Sequence, residues 1–307
     1  MRRILFVKTS SLGDVVHHCP AVSDAARQAP QAEIHWVVEE PFADVARLHR
    51  AVKRVFPVAM RRWRRAPWSP AVWSEIGRFR AALGEQSYDA VVDSQGLLKS
   101  ALVCMAARGT KHGLDRASAR EPLAARFYDV RHAVPKGLHA VERNRRLTAA
   151  ALGYQYGGEL DYGLRPSKES SVRDAYSVFL TMTSRDDKLW PEERWVALGA
   201  ELGMKVLLPW GSDLERERAE RIAGKIAAAT VPSRMAIREI ASLLQGARYV
   251  VGVDTGLTHL AAALGARTVG IYCGSDPGLT GLYCENSANV GRAGSPPTVA
   301  EVRKALS

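Results

Sequence analysis

The chain has 307 residues, more than one hydrophobic core usually organises, and about 150 residues per domain sets an expectation of two domains. Its composition, 47% hydrophobic and 24% charged, excludes a disordered or fibrous protein; no apolar run reaches the roughly 20 residues of a membrane span, and the short run after Met1 is no signal peptide. The net charge of +11 is carried by the first half, since residues 1–155 hold 25 Lys+Arg against 14 Asp+Glu and residues 156–307 hold 18 of each. One face of the first domain is therefore expected to meet something anionic, be it nucleic acid, an acidic membrane or a phosphorylated substrate. The cysteines Cys19, Cys104, Cys273 and Cys284 form no C-x-x-C pair, which speaks for neither zinc nor a disulfide framework and suits a reducing cytoplasm.

In chain order, Ile4–Lys8 reads as a strand, and the segment Lys8–Asp14 follows at its carboxyl end, where open α/β sheets bind ligands. Gly13 allows close backbone approach, and the hydroxyls of Thr9, Ser10 and Ser11 can bond a sugar. Asp14 suits two roles equally, a general base or a cap on the helix that follows. A helix over Ala21–Gln28 leads to strands at Glu33–Val38 and Arg54–Ala59. Next comes the densest basic cluster, Arg61, Arg62, Arg64 and Arg65 around Trp63, with Trp68 and Trp73 beyond. Arginine forks match carboxylates and phosphates, and tryptophans among them suit a membrane interface or a stacked ligand; a solvated charged face is the competing reading. Helices over Pro70–Gln86 and Leu97–Ala107 enclose a strand at Asp89–Asp93, and a helix near His139–Leu152 precedes a linker at about residues 154–170.

The alternation then starts again, with strands at Ser177–Thr181, Lys205–Leu208, Tyr249–Val253 and Thr268–Tyr272. Helices are expected at Glu192–Glu201, Leu214–Ala227, Ile237–Gln245 and Leu257–Leu264, with Val299–Leu306 closing the chain behind a Thr298 cap. Two Rossmann-like domains follow, residues 1–155 and 156–307, with the active site expected in the cleft between them. Neither G-x-G-x-x-G at the first turn nor any G-x-x-x-x-G-K-[ST] occurs, which disfavours a dinucleotide dehydrogenase or a P-loop kinase. Instead Asp254, Thr255, Gly256 and Leu257 stand between a strand and an Ala-rich helix, where free N–H groups and the helix dipole would cradle a diphosphate. A capped turn accounts for Asp254 or Thr255 but not for Gly256 and His259; His259, counted with the donor-binding residues, taken alone reads as a packing or hydrogen-bonding residue rather than a catalyst. Lys188, after Arg185, Asp186 and Asp187, is placed to neutralise a departing phosphate unless it is merely solvated. Trp210 and Glu215 have the position of a nucleoside pocket, although Glu215 also fits as a first-turn helix acid.

Together, Lys8–Asp14, Arg61–Arg65, Arg185–Pro191, Leu208–Gly211 and Asp254–His259 resemble the ADP-heptose glycosyltransferases of lipopolysaccharide inner-core assembly, in consistent order from residue 1 to about residue 283. The resemblance implies a GT-B fold and an inverting transfer of heptose from ADP-heptose, and it is strongest to members that add the first heptose to Kdo-lipid A. It implies Asp14 as general base, Lys188 at the donor phosphates, Glu215 at the ribose, and Asp254, Thr255 and Gly256 as the donor-binding turn. Arg61, Arg62, Arg64 and Arg120 fall where the family gathers its anionic acceptor, with His139 near the acceptor and Met235 near the adenine. Thr181 and Met182 stand where a His-Ala pair is expected, a departure that touches only local donor contacts. No metal or other cofactor is implied, nor nucleic acid as a partner; the implied location is cytoplasmic, peripheral on the anionic inner face of the inner membrane.

Overall fold

The computed structural model describes residues 2–165 and 174–307, and it divides into two compact units, Met1–Gly163 and Leu164–Ser307. Glu159 and Asp161 go with the first unit, which leaves it at +9 and the second at +2. Of the predicted linker, residues 166–170 lie outside the described residues. Residues 157–161 are stitched to the first unit: the carbonyls of Gly157 and Gly158 accept from Arg145, and Asp161 pairs with Arg50.

The first unit runs β1 (Arg3–Val7), α1 (Leu12–Gln28), β2 (Glu33–Glu39), α2 (Ala43–Leu48), β3 (Val52–Val58), α3 (Met60–Trp63), α4 (Pro70–Gly84), β4 (Ser87–Asp93), α5 (Leu98–Cys104), β5 (Arg108–Leu114), β6 (Val130–His132) and α6 (Ala140–Leu152). Its six strands are parallel in the order β3-β2-β1-β4-β5-β6. Alternation along β1 distributes the core: Leu5 and Val7 join Leu83 of α4 and Val103 of α5 on one face, while Phe6 meets His18 of α1 edge-on at 4.9 Å on the other.

The second unit runs β7 (Tyr176–Leu180), α7 (Glu192–Leu202), β8 (Lys205–Leu207), α8 (Asp213–Ala223), β9 (Ala229–Thr230), α9 (Ile237–Gln245), β10 (Tyr249–Val253), α10 (Gly256–Ala263), β11 (Thr268–Tyr272), α11 (Pro277–Thr280), β12 (Ser287–Gly291) and α12 (Val299–Ala305). Its order, β12-β11-β10-β7-β8-β9, is again all parallel and repeats that of the first sheet strand for strand. Trp190 and Trp195 fill its core, edge to face at 5.1 Å, beside Phe179, Val251 and Ile271. In each unit the connections reverse direction beside the first strand, between β1 and β4 and between β7 and β10, so each sheet opens a ligand crevice at those carboxyl ends.

Two expectations need correction. The helix predicted from Ala21 begins at Leu12 and runs through Pro20. Val15, Val16, Cys19 and Val22 are all buried, and this apolar face offsets the single hydrogen bond that proline removes. Strand β5, with sequence RGTKHGL, lies in a stretch where no strand was expected, because it carries no apolar alternation.

Candidate active site

At the first crevice the loop after β4 ties down the loop after β1. Asp93, fully buried, accepts from the backbone N–H of Gln95 at 2.8 Å and from the Tyr128 hydroxyl at 2.7 Å. Burial pushes its carboxyl up, and those hydrogen bonds work against the rise. Gln95, so held, accepts through Oε1 from the N–H groups of Thr9 at 3.1 Å and Ser10 at 3.2 Å. Lys8 is buried behind this turn and donates to the Ser94 carbonyl at 3.0 Å; burial lowers its pKa, with Asp14 and Asp93 opposing.

The turn delivers Asp14 to an open cavity of about 640 Å³ lined by Ser10, Ser11, Asp14, Arg64, Gln95, Lys99, Arg120 and Glu121 among others. Three cations face two carboxylates there, a balance suited to an anionic ligand. The helix cap is Ser11, and Asp14 sits three residues on, reaching back to accept from the Ser11 N–H at 2.7 Å and the Ser11 hydroxyl at 3.1 Å. Both bonds fall on Oδ2; among the described residues Oδ1 carries none. The capping and catalytic readings of Asp14 are thus compatible, one oxygen fixing the rotamer and the other left for a proton.

Of the predicted residues, Ser10, Ser11, Asp14, Arg64 and Arg120 share this cavity. Thr9 is buried beneath it with its hydroxyl unpartnered, and Gly13 lies in the first turn of α1. Arg62 is drawn away by Glu40 at 3.1 Å and Glu75 at 2.6 Å, and its guanidinium holds the Glu75 carboxyl down to about 2. Arg61 lies over the Phe42 ring, and His139 caps α6 and meets the His17 ring at 5.3 Å; neither lines the cavity. Trp63 packs against Phe79, whereas Trp68 and Trp73 are exposed. Lys99 and Gln95 were not foreseen. Lys99 donates to Ser10 Oγ at 3.2 Å, and burial with nearby Arg64 and Arg61 lowers its pKa against the pull of Glu39.

The second crevice is organised by Asp254, directly after β10. Its Oδ2 accepts from Lys188 at 2.6 Å and from the Ser275 hydroxyl at 2.6 Å, Oδ1 lies 3.4 Å from His259 Nε2, and its carbonyl accepts from Thr183 at 3.1 Å. Burial works to raise this carboxyl, but the bonds from His259, Lys188 and Ser275 outweigh it and hold Asp254 well below the usual range. Three segments thereby converge on the start of α10, where Thr255 is the cap and Gly256 and Leu257 begin the helix. Gly252 makes this approach possible, since a Cβ there would stand 2.1 Å from Thr258 Oγ1. Trp210 donates to the Pro232 carbonyl at 2.8 Å, Glu215 accepts from the Gly211 N–H at 2.7 Å, and Met235 is half-buried in the loop before α9. The Thr181-Met182 departure leaves the Lys188–Asp254 contact in place.

Among the described residues no group of three His, Cys, Asp or Glu side chains is arranged to hold a metal, and no helix is long and apolar enough to cross a membrane.

The profile of glycosyltransferase family 9 (heptosyltransferase) matches residues 76–305. Lipopolysaccharide heptosyltransferase 1 of Escherichia coli K12 is 48% identical over 294 residues, 92% of each chain, and that of Pseudomonas aeruginosa is 47% identical over 94% of this chain and 83% of its own. Among solved structures, the E. coli heptosyltransferase WaaC with ADP superposes with a TM-score of 0.93 at 44% identity over 98% of both chains. The same enzyme with ADP-2-deoxy-2-fluoro heptose gives 0.89. E. coli ADP-heptose lps heptosyltransferase II, at 20% identity, shares the fold with a TM-score of 0.75. With a paired Rossmann architecture of GT-B type and this degree of identity along nearly its whole length, the chain belongs to glycosyltransferase family 9, the heptosyltransferases.

Proposed function

We propose that the chain transfers L-glycero-D-manno-heptose from ADP-heptose to the Kdo residue of Kdo-lipid A, adding the first heptose of the lipopolysaccharide inner core with inversion. The observation that carries this reading is a carboxylate with one free oxygen, Asp14 Oδ1, in a cavity ringed by Arg64, Lys99 and Arg120. An acceptor bearing the Kdo carboxylate and lipid A phosphates matches that ring of cations. Asp14 takes the proton of the acceptor hydroxyl as its oxygen attacks the anomeric carbon, and the bond to the ADP oxygen breaks with its electron pair leaving on the diphosphate. In the second unit, Lys188 and the N–H groups at the start of α10 meet that charge, while Trp210, Glu215 and Met235 form the nucleoside end. These groups supply the charge stabilisation themselves, and we read the chemistry as independent of a metal. The enzyme works in the cytoplasm, peripheral on the inner face of the membrane, attached through the basic first unit.

The preference for the first heptose over the second is supported by identity of 47–48% to relatives named heptosyltransferase 1 from E. coli and P. aeruginosa. Incubation with ADP-heptose and Kdo-lipid A is expected to yield transfer, and an acceptor already carrying the first heptose is expected to be poor. Asp14→Ala is expected to lower turnover by about 100-fold or more. Near-normal turnover in that variant would remove Asp14 as the base. Under full chelation the same assay is expected to keep its rate, and loss restored by a divalent ion would overturn metal independence.

A further inference from the structure

The first unit holds a second concavity that the transfer reaction leaves unexplained. An apolar groove of about 590 Å³ lies between α3, α4 and α5, walled by Trp63, Val72, Trp73, Ile76, Phe79 and Met105. That volume is in the range of about 300–1,000 Å³ typical of ligand sites. Trp73 and Met105 are 62% and 53% exposed, so the groove presents large side chains that folding alone would have covered. Arg64, Lys99 and Leu102 line both this groove and the Asp14 cavity, which makes the two continuous. Toward the other end Arg80, Met105 and Ala106 are shared with an adjoining hollow that Arg108 also lines. The depression is thus apolar along its length, with cations outnumbering carboxylates at both ends: Arg64, Lys99 and Arg120 against Asp14 and Glu121 at one, Arg80 and Arg108 against Glu85 at the other.

Exposed side chains such as Trp73, Leu102 and Met105 suit a bilayer surface, but a flat surface leaves the concavity they line unfilled, and a second copy of a unit charged +9 would bring cations against cations. A trough running out of a sugar-sized cavity calls instead for one molecule with an anionic head and a hydrocarbon tail. We propose that the groove seats an acyl chain of the anionic glycolipid acceptor while its sugar occupies the Asp14 cavity. This rests on the acceptor reading of the preceding subsection.

The test compares the acylated acceptor with the same sugar freed of its fatty acids, using the full-length enzyme and Met105→Glu, a change at an exposed position that spares the fold. The variant is expected to raise KM for the acylated acceptor at least tenfold and to stay within twofold of wild type on the deacylated one. Equal losses on both acceptors, or no loss on either, would overturn the proposal. Tryptophan fluorescence gives a readout independent of transfer: lipid A with brominated acyl chains and no Kdo is expected to quench wild type and to quench Trp73→Phe less. Equal quenching by brominated phosphatidylglycerol vesicles would assign the groove to bulk lipid, and loss of quenching as the enzyme self-associates would assign it to a second copy; either result overturns it. Wild-type inactivity on both acceptors would strike the acceptor reading, and the quenching comparison would then decide the groove separately.

Discussion

Lys188 is proposed to serve two partners, a carboxylate and the donor diphosphate. Its ammonium is held 2.6 Å from Asp254, a carboxylate also served by His259 and Ser275. On the proposed function, a diphosphate at the start of α10 would carry more charge than Asp254 and compete for the same cation, leaving His259 and Ser275 to serve Asp254. Lys188→Met is therefore expected to lower kcat by about 100-fold, the usual scale for losing one charge-stabilising donor, with a smaller change in KM for ADP-heptose. Steady-state kinetics at saturating acceptor decide this; an unchanged kcat would make Lys188 only the structural counter-ion of Asp254. Asp254, Lys188 and His259 were legible in the sequence because a strand, a turn and a helix start stand in one short stretch, with the lysine in a recognisable second one. Lys99 and Gln95 were not, because no local pattern marks the loop after β4 and the first turn of α5. Only the strand order, which sets β4 against β1, brings that loop to Asp14.

At the level of elements, the first unit depends on how α1 meets α6. Arg145 of α6 grips Asp24 of α1 through two parallel bonds, 2.6 and 3.1 Å, with both side chains buried. Removing one partner of such a pair strands the other charge away from water. Asp24→Ala is expected to cost about 3 kcal/mol or more in a urea titration of the full chain, and a cost under about 1 kcal/mol would count against the pair as the hinge pin of this packing. Most elements could be read from apolar period and length, since strands such as β1 and β10 are largely hydrophobic runs. The exceptions have physical causes: α1 continues through Pro20 because burial outweighs local propensity, and β5 gains its place from pairing with β4 and β6 rather than from its own residues.

For the molecule as a whole, acid stability is set by histidines buried without charge. Burial lowers His49 to about 4, against the weaker pull of its bond to the Cys19 carbonyl, and burial with Lys8 nearby takes His18 well below its ordinary value. The unfolded chain binds protons at these sites from about pH 6.5 downward while the folded chain does not. Stability is therefore full above pH 6.5 and falls as pH drops toward 4, by a slope approaching about 1.4 kcal/mol per pH unit for each histidine. Unfolding free energies measured from pH 7 to pH 4.5 are expected to trace that decline, and His49→Asn to flatten it; a level profile would contradict the assignment. Arg145 carries a last implication, for synthesis on the ribosome. Because it also binds the carbonyls of Gly157 and Gly158, the first unit is not complete when its sixth helix is made. The nascent polypeptide must deliver several more residues before that guanidinium is sheathed, so the emerging first unit locks into place only once the tail beyond its last helix has followed.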